Sequence, residues 1–323
     1  MSEITIAVCV YNGEKYIKET LSRIIAQSFQ SFDLLIVNDC STDATLQIIN
    51  DFFTENLREY RLINLEKNKG IANARQTALE RAETRYLLFV DADDLPHSEL
   101  LKKESRLISL NEDAIAVSCW SEYIDENGKR MQGGLFIGDK TKEDFISRAS
   151  RDKLIFLPIQ TLFDRVAALR VGGFRLDGFP KGVPRYQDFC EDLDLWTRMS
   201  DLYTEGKYMI VIPEILYSYR KGSTGLSSNT FFMNLKMKYI KTNLLLRRAG
   251  KTEVSFYNFH AALSGNELNT LQQAAVAADC LREGIISLKK KKIGHGILNI
   301  LKSMWLRPEY VWQKIKSNSG LFK

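Results

Sequence analysis

The first ninety residues alternate between apolar segments typical of buried strands and amphipathic segments typical of helices. The apolar segments, at 4–10, 33–39, 60–66 and 86–91, are rich in aliphatic and aromatic residues. Strands that are continuously apolar are buried on both faces, and strands that alternate with helices pair in parallel. The sequence therefore predicts an α/β fold with a Rossmann-like, mostly parallel sheet flanked by helices.

Polar residues follow three of these predicted strands directly. Tyr11 and Asn12 follow the first strand, Asp39 ends the second, and residues 91–94 (Asp-Ala-Asp-Asp) follow the fourth. Ligands of such sheets bind at the carboxyl ends of the strands, so a ligand site is expected there. The chain has no GxGxxG after the first strand and no GxxxxGK[ST], which argues against a dinucleotide fold and a P-loop.

The fourth strand runs into three carboxylates, those of Asp91, Asp93 and Asp94. Like charges this close repel one another, and each resists ionising beside the others. A hard divalent cation prefers oxygen ligands and bridges to phosphates, so the cluster is a candidate metal site. The alternative is a solvated turn in which an aspartate caps the helix predicted at 98–110.

Two further residues near this edge have a binding and a structural interpretation. Asp39 could accept a hydrogen bond from a ring N–H of a ligand, or it could cap the helix that follows the second strand. Arg75 lies in the helix after the third strand, where it could clamp a phosphate. Most helical arginines, however, are solvated surface residues.

The helix predicted at 188–200 places a carboxylate among apolar side chains. At 100° per residue, its apolar arc comprises Phe189, Leu193, Leu195, Trp196 and Met199. Asp192 falls inside this arc, whereas Glu191 and Asp194 are expected to point away from it. Partial desolvation would raise the pKa of Asp192 toward values that suit a general base. The alternative is a helical acid in a salt bridge with Arg185 or Arg198.

Six ordered segments resemble the family 2 glycosyltransferases of the GT-A fold. They are AVCVYNGEKYIKETLSRIIAQSF, LLIVNDCSTDAT, NKGIANARQTAL, LLFVDADD, VGGF and EDLDLWTR, and the resemblance covers about residues 1–220. It implies transfer of a sugar from a nucleotide-sugar, a UDP-sugar, to a hydroxyl of a saccharide or lipid-linked saccharide. Inversion at the anomeric carbon and a role in cell-surface polysaccharide synthesis are implied as well.

The resemblance also implies roles for individual residues. The implied nucleotide-binding residues are Tyr11, Asn12, Asp39, Arg75, Asp91 and Ala92. Asp39 would contact the uracil ring, and Asp93 would bind Mn²⁺ or Mg²⁺ with Asp94 and Arg220 in support. The catalytic base of the family matches Asp192, with Glu191 beside it on the acceptor side.

One segment departs from the family pattern. Many relatives carry a sequence like YRxHxxS, but here the stretch is YRKGSTGLS, so Gly222 occupies the histidine position. Arg220, Lys221 and Ser223 could hold the diphosphate instead, whereas His97 is better explained as a surface residue. An inactive sugar-nucleotide-binding subunit therefore stays open as an alternative.

A haloacid-dehalogenase-type phosphotransferase is a further alternative, because its first motif is also an apolar strand that runs into DxD. Its motif requires Thr or Val two residues after the second aspartate. That position holds Leu95 here, which argues against this class.

The C-terminal third differs in charge from the rest of the chain. Residues 221–323 contain 17 Lys and Arg against 5 Asp and Glu, whereas residues 1–220 contain 28 against 35. We therefore expect a catalytic domain at 1–220, with a nucleotide-sugar half at about 1–98 and an acceptor half at about 99–220. A basic helical extension would follow at 221–323.

Within this extension, apolar residues recur at helical spacing among lysines. This pattern, which includes Trp305, is typical of a helix on an anionic membrane surface. The alternative is a helix that packs on the catalytic domain and leaves a solvated basic face. No nucleic-acid-binding module is recognisable, so nucleic acid is not expected as a partner.

The remaining features favour an intracellular protein. The five cysteines form no CxxC or Cys/His cluster, which argues against a disulfide scaffold and structural zinc. No apolar run approaches the roughly 20 residues that span a bilayer, and the N-terminus lacks a signal-peptide pattern. We expect a cytoplasmic protein, peripheral on the inner face of the plasma membrane if its extension binds lipid.

Overall fold

In the computed structural model of the protein, a nine-stranded sheet is flanked by helices. The structure describes residues 2–177, 185–222, 229–289 and 291–318. The strands are β1 (Ile4–Val10), β2 (Asp33–Asn38), β3 (Arg61–Asn64), β4 (Tyr86–Phe89), β5 (Leu95–Pro96), β6 (Ala114–Ile124), β7 (Arg130–Leu135), β8 (Thr161–Asp164) and β9 (Tyr208–Arg220).

The helices alternate with the strands in the first half of the chain and follow one another at its end. They are α1 (Ile17–Ile25), α2 (Thr45–Glu55), α3 (Ile71–Arg81), α4 (Leu100–Ser109), α5 (Lys142–Ala149), α6 (Arg165–Arg170), α7 (Glu191–Met199), α8 (Thr230–Arg248), α9 (Phe256–Ala261), α10 (Gly265–Lys289), α11 (Ile293–Leu306) and α12 (Pro308–Asn318).

The first four strands form the parallel part of the sheet, as predicted. β1 lies between β2 and β4, and β3 pairs with β2, all in parallel. Every residue of β1 is buried, because helices cover both faces of this part of the sheet. Parallel strands end at the same edge, so Tyr11, Asp39 and Asp91 are carried to one side of the molecule.

The second half of the sheet is mixed. β8 lies antiparallel between β4 and β6, and β6 pairs in parallel with β9. β9 runs over 13 residues. Its end pairs with the two-residue β5, with Leu95 opposite Ser218, and this pairing brings Arg220 to the carboxylate cluster.

An aromatic contact fixes α7 on the sheet. Trp196 of α7 is fully buried, and its ring packs edge-on against Phe163 of β8 with ring centroids 5.2 Å apart. A buried aromatic residue of this size stabilises a fold by about 3–5 kcal/mol, judged from its truncation to alanine. The helix that carries Glu191 and Asp192 is therefore anchored from its opposite end.

A second hydrophobic core joins α7 to the helices that follow the sheet. It is formed by Tyr186, Cys190, Leu193, Leu235, Tyr239, Ile240, Phe256 and Phe259. Helices α8 and α9 thus pack on the element that carries the predicted base. The division into 1–220 and 221–323 stays a prediction, although the beginning of the second segment shares a core with the first.

Helices α10, α11 and α12 continue outward from α8. Helix α10 packs against α8 and α11, and α11 packs against α10 and α12. Among the described residues, no helix combines the length and the apolar character needed to cross a bilayer.

Candidate active site

The three carboxylates at the end of β4 differ in exposure. Asp94 is buried, and one of its carboxylate oxygens accepts a hydrogen bond from the backbone N–H of Arg220 at 2.7 Å. The hydroxyl of Thr20 donates to the carbonyls of Ala92 (3.0 Å) and Asp94 (2.9 Å), which holds the turn in place. Asp93 is exposed at the rim of this turn. It is thus the aspartate of the cluster best placed to meet a ligand.

Electrostatic crowding raises the pKa of two of these carboxyls. Partial desolvation in the cleft, together with the Asp91 carboxylate, raises the pKa of Asp93 to about 6. Burial raises the pKa of Asp94 well above its usual range, and Asp91 and Asp93 add to that effect. A positive ion beside these groups would relieve the repulsion and favour their ionised forms.

The surroundings of Asp93 fit a cation that is shared with a phosphate-containing ligand. Among the described residues, no group of three or more His, Cys, Asp and Glu side chains is arranged as a complete metal cage. Mg²⁺ and similar ions are commonly held by one or two carboxylates, with phosphate oxygens and water as the other ligands. Asp93 at the rim suits that arrangement. Gly222 has no side chain to add, and Ser223 lies outside the described residues.

Arg75 lies between the cluster and helix α7. Its guanidinium donates to Asp91 at 2.6 Å and to Glu191, and the Arg75 side chain is buried. Burial opposes its charge, but the carboxylates of Asp91, Glu191 and Asp192 outweigh this effect and raise the pKa of the guanidinium. Arg75 therefore joins the two halves of the site through buried ion pairs.

Glu191 and Asp192 begin helix α7. Glu191 is buried, and burial raises its pKa while Arg75 opposes the rise. Asp192 is partly exposed, and burial raises its pKa as well. The carboxylate of Asp192 accepts a local hydrogen bond, from the backbone N–H of Leu193 at 2.7 Å. Asp192 therefore combines partial exposure with a raised pKa, as a general base requires.

The predicted orientation of Glu191 and Asp194 was wrong. Both are more buried than Asp192, although helical periodicity placed them away from the apolar arc. Asp194 accepts hydrogen bonds from Arg198, at 2.9 and 2.7 Å, and this pairing lowers its pKa against the effect of burial. Buried acids of this kind are tolerated because each has a cationic partner.

Neither arginine suggested as a salt-bridge partner of Asp192 takes that role. Arg198 pairs with Asp194, and Arg185 lies 3.2 Å from a carboxylate oxygen of Asp188. Asp188 had not been singled out from the sequence. Its other oxygen accepts the backbone N–H of Ala72 at 3.0 Å, at the beginning of α3.

Asp39 holds the turn that leads into α3. Its two carboxylate oxygens accept the backbone N–H groups of Lys69 and Gly70, each at 2.8 Å. The predicted cap of the helix after β2 was wrong, since Asp43 accepts the N–H of Thr45 there. Burial raises the pKa of Asp39, against the effect of its two backbone donors. A carboxylate has about four acceptor positions, so two stay available for a ligand N–H.

Gly70 permits this close approach of α3 to the acidic groups. A Cβ atom built there would lie 2.1 Å from a carboxylate oxygen of Asp188, and the residue has φ of 93°. Both the space and the backbone conformation exclude other residues. The Gly in the NKG segment is thus explained by Asp188, which lies far away in the sequence.

Three residues at the edge of the site have left-handed backbone conformations. They are Asn12 (φ 51°), Cys40 (φ 62°) and Cys190 (φ 54°). Such conformations cost about 1–2 kcal/mol for a residue with a Cβ atom. At Cys190 the turn directly precedes Glu191, so it sets the direction from which α7 presents its first two carboxylates.

The predicted base- and ribose-binding residues line the same edge. Tyr11 is 49% exposed, which leaves its ring able to stack on a ligand. The side-chain oxygen of Asn12 accepts the backbone N–H of Thr42 at 2.8 Å, so Asn12 joins the loops after β1 and β2. Ala92 is partly exposed between the aspartates of the cluster.

Arg220 is engaged in holding the cluster in place. Its guanidinium donates to the carbonyls of Asp93 (2.7 Å), Asp125 and Glu126 (both 3.1 Å) and to the carboxylate of Glu19 (3.0 Å). This geometry does not favour the suggested diphosphate contact, because the group is buried and satisfied by protein atoms. The Nε2 atom of His97 lies 3.1 Å from the hydroxyl oxygen of Ser218, so His97 forms a hydrogen bond within the protein.

We expect Arg75→Met to destabilise the fold by about 3–5 kcal/mol, since it leaves two acidic side chains without their cation. Urea unfolding of the variant and of wild type measures this difference. Arg81→Met is the matched control, because Arg81 lies on the same helix and is exposed. Equal stability of all three proteins would show that Arg75 does not sustain the site.

Comparison with known protein families agrees with the motifs in the first half of the chain. Residues 5–176 match the family described as Glycosyl transferase family 2. An uncharacterised glycosyltransferase of Haemophilus influenzae is 33% identical over 233 residues, which are 72% of this chain and 84% of that protein.

A second relative matches over a shorter segment. The poly(ribitol-phosphate) beta-N-acetylglucosaminyltransferase TarS of Staphylococcus aureus is 39% identical over 111 residues. That segment covers 33% of this chain but only 19% of the relative. The sequence similarity to TarS is therefore local.

Solved structures show the same fold. TarS residues 1–349 in complex with UDP-GlcNAc align with a TM-score of 0.54 and 20% identity, over 94% of this chain and 91% of that chain. A mannosyltransferase from Pyrobaculum calidifontis, in complex with GDP-Man and Mn²⁺, aligns with a TM-score of 0.54 and 19% identity, over 97% and 88%. The predicted GT-A-type fold with a helical C-terminal region is confirmed.

Proposed function

Because the chain belongs to glycosyltransferase family 2, we propose that it is an inverting enzyme that uses a UDP-sugar. Its acceptor is a hydroxyl of a saccharide or lipid-linked saccharide. The observation that carries the proposal is the ion bridge through Arg75, which joins Asp91 of the strand-end cluster to Glu191 of α7. In this proposal the candidate donor site and the candidate base lie on the two sides of this bridge.

The donor nucleotide lies along the carboxyl edge of β1, β2 and β4 in this proposal. Asp39 accepts an N–H of the uracil ring, Tyr11 and Asn12 line the base and ribose, and Asp91 and Ala92 contact the ribose. A nucleotide bound to TarS supports this choice, since that structure contains UDP-GlcNAc. Arg75 meets the nucleotide through Asp91, because its guanidinium is already held by two carboxylates.

Asp93 would hold Mn²⁺ or Mg²⁺ together with the diphosphate oxygens. The bound cation would act as a Lewis acid that neutralises the charge developing on the leaving nucleoside diphosphate. Asp94 and Arg220 would support this residue, through the bonds that fix the backbone of the turn. The Mn²⁺ in the Pyrobaculum mannosyltransferase supports a divalent cofactor.

Asp192 would remove the proton from the acceptor hydroxyl. Its partly exposed carboxylate can accept that proton, whereas the Glu191 carboxylate is engaged by Arg75. Glu191 thus positions Arg75 and lies beside the acceptor. Attack by the deprotonated oxygen on the side of the sugar opposite the diphosphate inverts the anomeric carbon in a single step. Residues 178–184 lie outside the described residues.

The name of one relative supports the proposed acceptor class. TarS is named for transfer to poly(ribitol-phosphate), so we propose a role in cell-surface polysaccharide synthesis, at the cytoplasmic face of the membrane. Membership of the family sets aside the haloacid-dehalogenase alternative. An inactive sugar-nucleotide-binding subunit is the second candidate, favoured by the Gly at the usual histidine position.

A donor screen tests the proposed activity. We expect slow, saturable hydrolysis of one UDP-sugar in the presence of Mn²⁺, followed by mass spectrometry of the products across UDP-, TDP- and GDP-sugars. Turnover of a GDP-sugar alone would correct the donor. Tight UDP binding without hydrolysis or transfer of any donor would favour the inactive subunit.

A further inference from the structure

The hairpin formed by α10 and α11 is packed through small residues. Gly284, Ser287, Gly296 and Ser303 are its buried contact positions. A Cβ atom added at Gly284 would lie 3.0 Å from the carbonyl oxygen of Gly296, and one at Gly296 would lie 3.1 Å from that of Gly284. The hydroxyl of Ser303 donates to the carbonyl of Ala277 at 2.7 Å. The two helix backbones are therefore in close contact.

Several large apolar side chains of the same hairpin face outward, although Leu281 is buried inside it. On α11 these are Ile293, Ile297, Leu298, Leu301 and Trp305, which are between 49% and 83% exposed. Four of them recur at every fourth position, so they form a stripe along one face of the helix. A helix of a globular protein normally buries its apolar stripe against the core. The apolar stripe of α11 is exposed instead.

The stripe continues onto the neighbouring helices. Ile285, Ile286 and Leu288 at the end of α10 are 39–41% exposed, and Trp312 of α12 is 55% exposed. In membrane proteins, helices pack through small residues and turn large apolar groups toward the lipid. Apolar surface of this extent marks an interaction site.

Basic side chains border this apolar face. Lys291, Lys292, Lys302 and Arg307 are exposed around it, and the nearest described acidic residues in sequence are Glu283 and Glu309. An isologous contact between two copies would bring this basic border against the same border of the second copy. The excess of positive charge around the exposed apolar stripe instead suits an anionic lipid surface.

We infer that the hairpin α10–α11 docks on an anionic lipid surface and inserts the stripe 293–305 between the headgroups. Insertion of Leu298, Leu301 and Trp305 supplies an apolar contribution that salt does not remove. The cations supply a contribution that falls off within a Debye length. This inference is independent of the proposed donor, because the surface lies outside the cleft.

Vesicle sedimentation without nucleotide tests the inference on the full chain. We expect binding to phosphatidylcholine vesicles to rise with added phosphatidylglycerol and to weaken partly, but not wholly, at high salt. Leu298→Glu/Leu301→Glu should lower the partition coefficient by about 100-fold. Its matched control is Leu57→Glu/Leu110→Glu, which changes two exposed leucines of the body to the same charges and should bind like wild type.

Two gentler variants separate the contributions. Lys302→Gln/Arg307→Gln should weaken binding to anionic vesicles by roughly 5-fold for each charge, and should leave binding to neutral vesicles unchanged. Trp305→Phe should remove most of the blue shift in tryptophan fluorescence that vesicles cause, because Trp305 is the most exposed tryptophan of the described residues.

Two results would overturn the inference. One is sedimentation that ignores anionic lipid, and the other is equal binding by both leucine-to-glutamate pairs. If the Leu298/Leu301 variant abolishes self-association in the absence of vesicles, and wild type does not bind lipid, the face is an interface between copies of the chain. Thermal unfolding of each variant verifies that it is folded.

Discussion

Asp192→Asn is expected to lower the rate of sugar transfer by about 10²–10⁴-fold, the contribution that a positioned general base makes. UDP affinity should stay close to the wild-type value, because the interactions of Asp192 with the predicted nucleotide residues Arg75 and Asp91 are electrostatic only, and its described hydrogen bond is to Leu193. Steady-state transfer rates and calorimetric UDP binding measure the two quantities. The asparagine keeps the shape of the side chain, so a folding defect is not expected.

Glu191→Gln is the comparison that identifies the base. Glu191 is buried against Arg75, so its amide variant should lose an ion pair and with it some stability. Its transfer rate should fall less than that of the Asp192 variant once both are folded. A large loss in Glu191→Gln with normal transfer by Asp192→Asn would show that the assignment must be exchanged.

The dependence of transfer on pH provides a second readout for the base. Burial raises the pKa of Asp192 above that of an ordinary aspartate, and a base is active only when deprotonated. The wild-type rate should therefore fall as the pH is lowered through this raised value. The residual activity of Asp192→Asn should lack that decline. An unchanged acid limb in the variant would assign it to another group.

The parallel half of the fold and its functional edge were predictable from the sequence. Continuous apolar segments and the helices between them leave few other arrangements for 1–90, and parallel strands must end together. Asp39, Asp91 and Asp93 therefore reach one edge. Short strands such as β8 carry too little pattern of their own, since four buried residues fit a helix or a strand equally well.

The interior of the site was not predictable in the same way. Periodicity assigns each side chain to a face, but a buried carboxylate depends on a cation from a distant part of the chain. Arg75 and Glu191 are separated by 116 positions, and Gly70 is explained only by Asp188. The left-handed conformation of Cys190 also makes the helix begin at Glu191. The predicted apolar arc began earlier, at Phe189, which is not part of the helix.

The C-terminal hairpin shows the limit of amphipathic pattern in another direction. The sequence identifies an apolar stripe among lysines, but not the side on which it lies. Gly284 and Gly296 bring the two helix backbones together. Because of this contact, the small residues lie between the helices and the stripe lies on the outer face. Composition thus predicts the basic segment, but the packing of the two helices determines which of its side chains are exposed.

Asp93→Asn is expected to change UDP affinity in opposite directions with and without a divalent cation. With Mn²⁺ the affinity should fall, because a carboxylate ligand shared with the diphosphate is lost, and metal stabilisation of phosphate charge amounts to several kcal/mol. With EDTA the affinity should rise slightly, because a negative charge beside the diphosphate has been removed. Calorimetry of both proteins in both conditions completes the comparison.

This reversal of sign separates a metal ligand from a structural residue. Asp93 is exposed, whereas Asp94 is buried and bonded to the backbone of Arg220. Asp94→Asn should therefore lower UDP affinity in both conditions, by disturbing the turn. If Asp93→Asn also shifts both affinities the same way, or if wild type binds UDP equally well with Mn²⁺ and EDTA, Asp93 is not a metal ligand. The carboxylate repulsion at the end of β4 would then have to be relieved by the protein's own cations, Arg75 and Arg220.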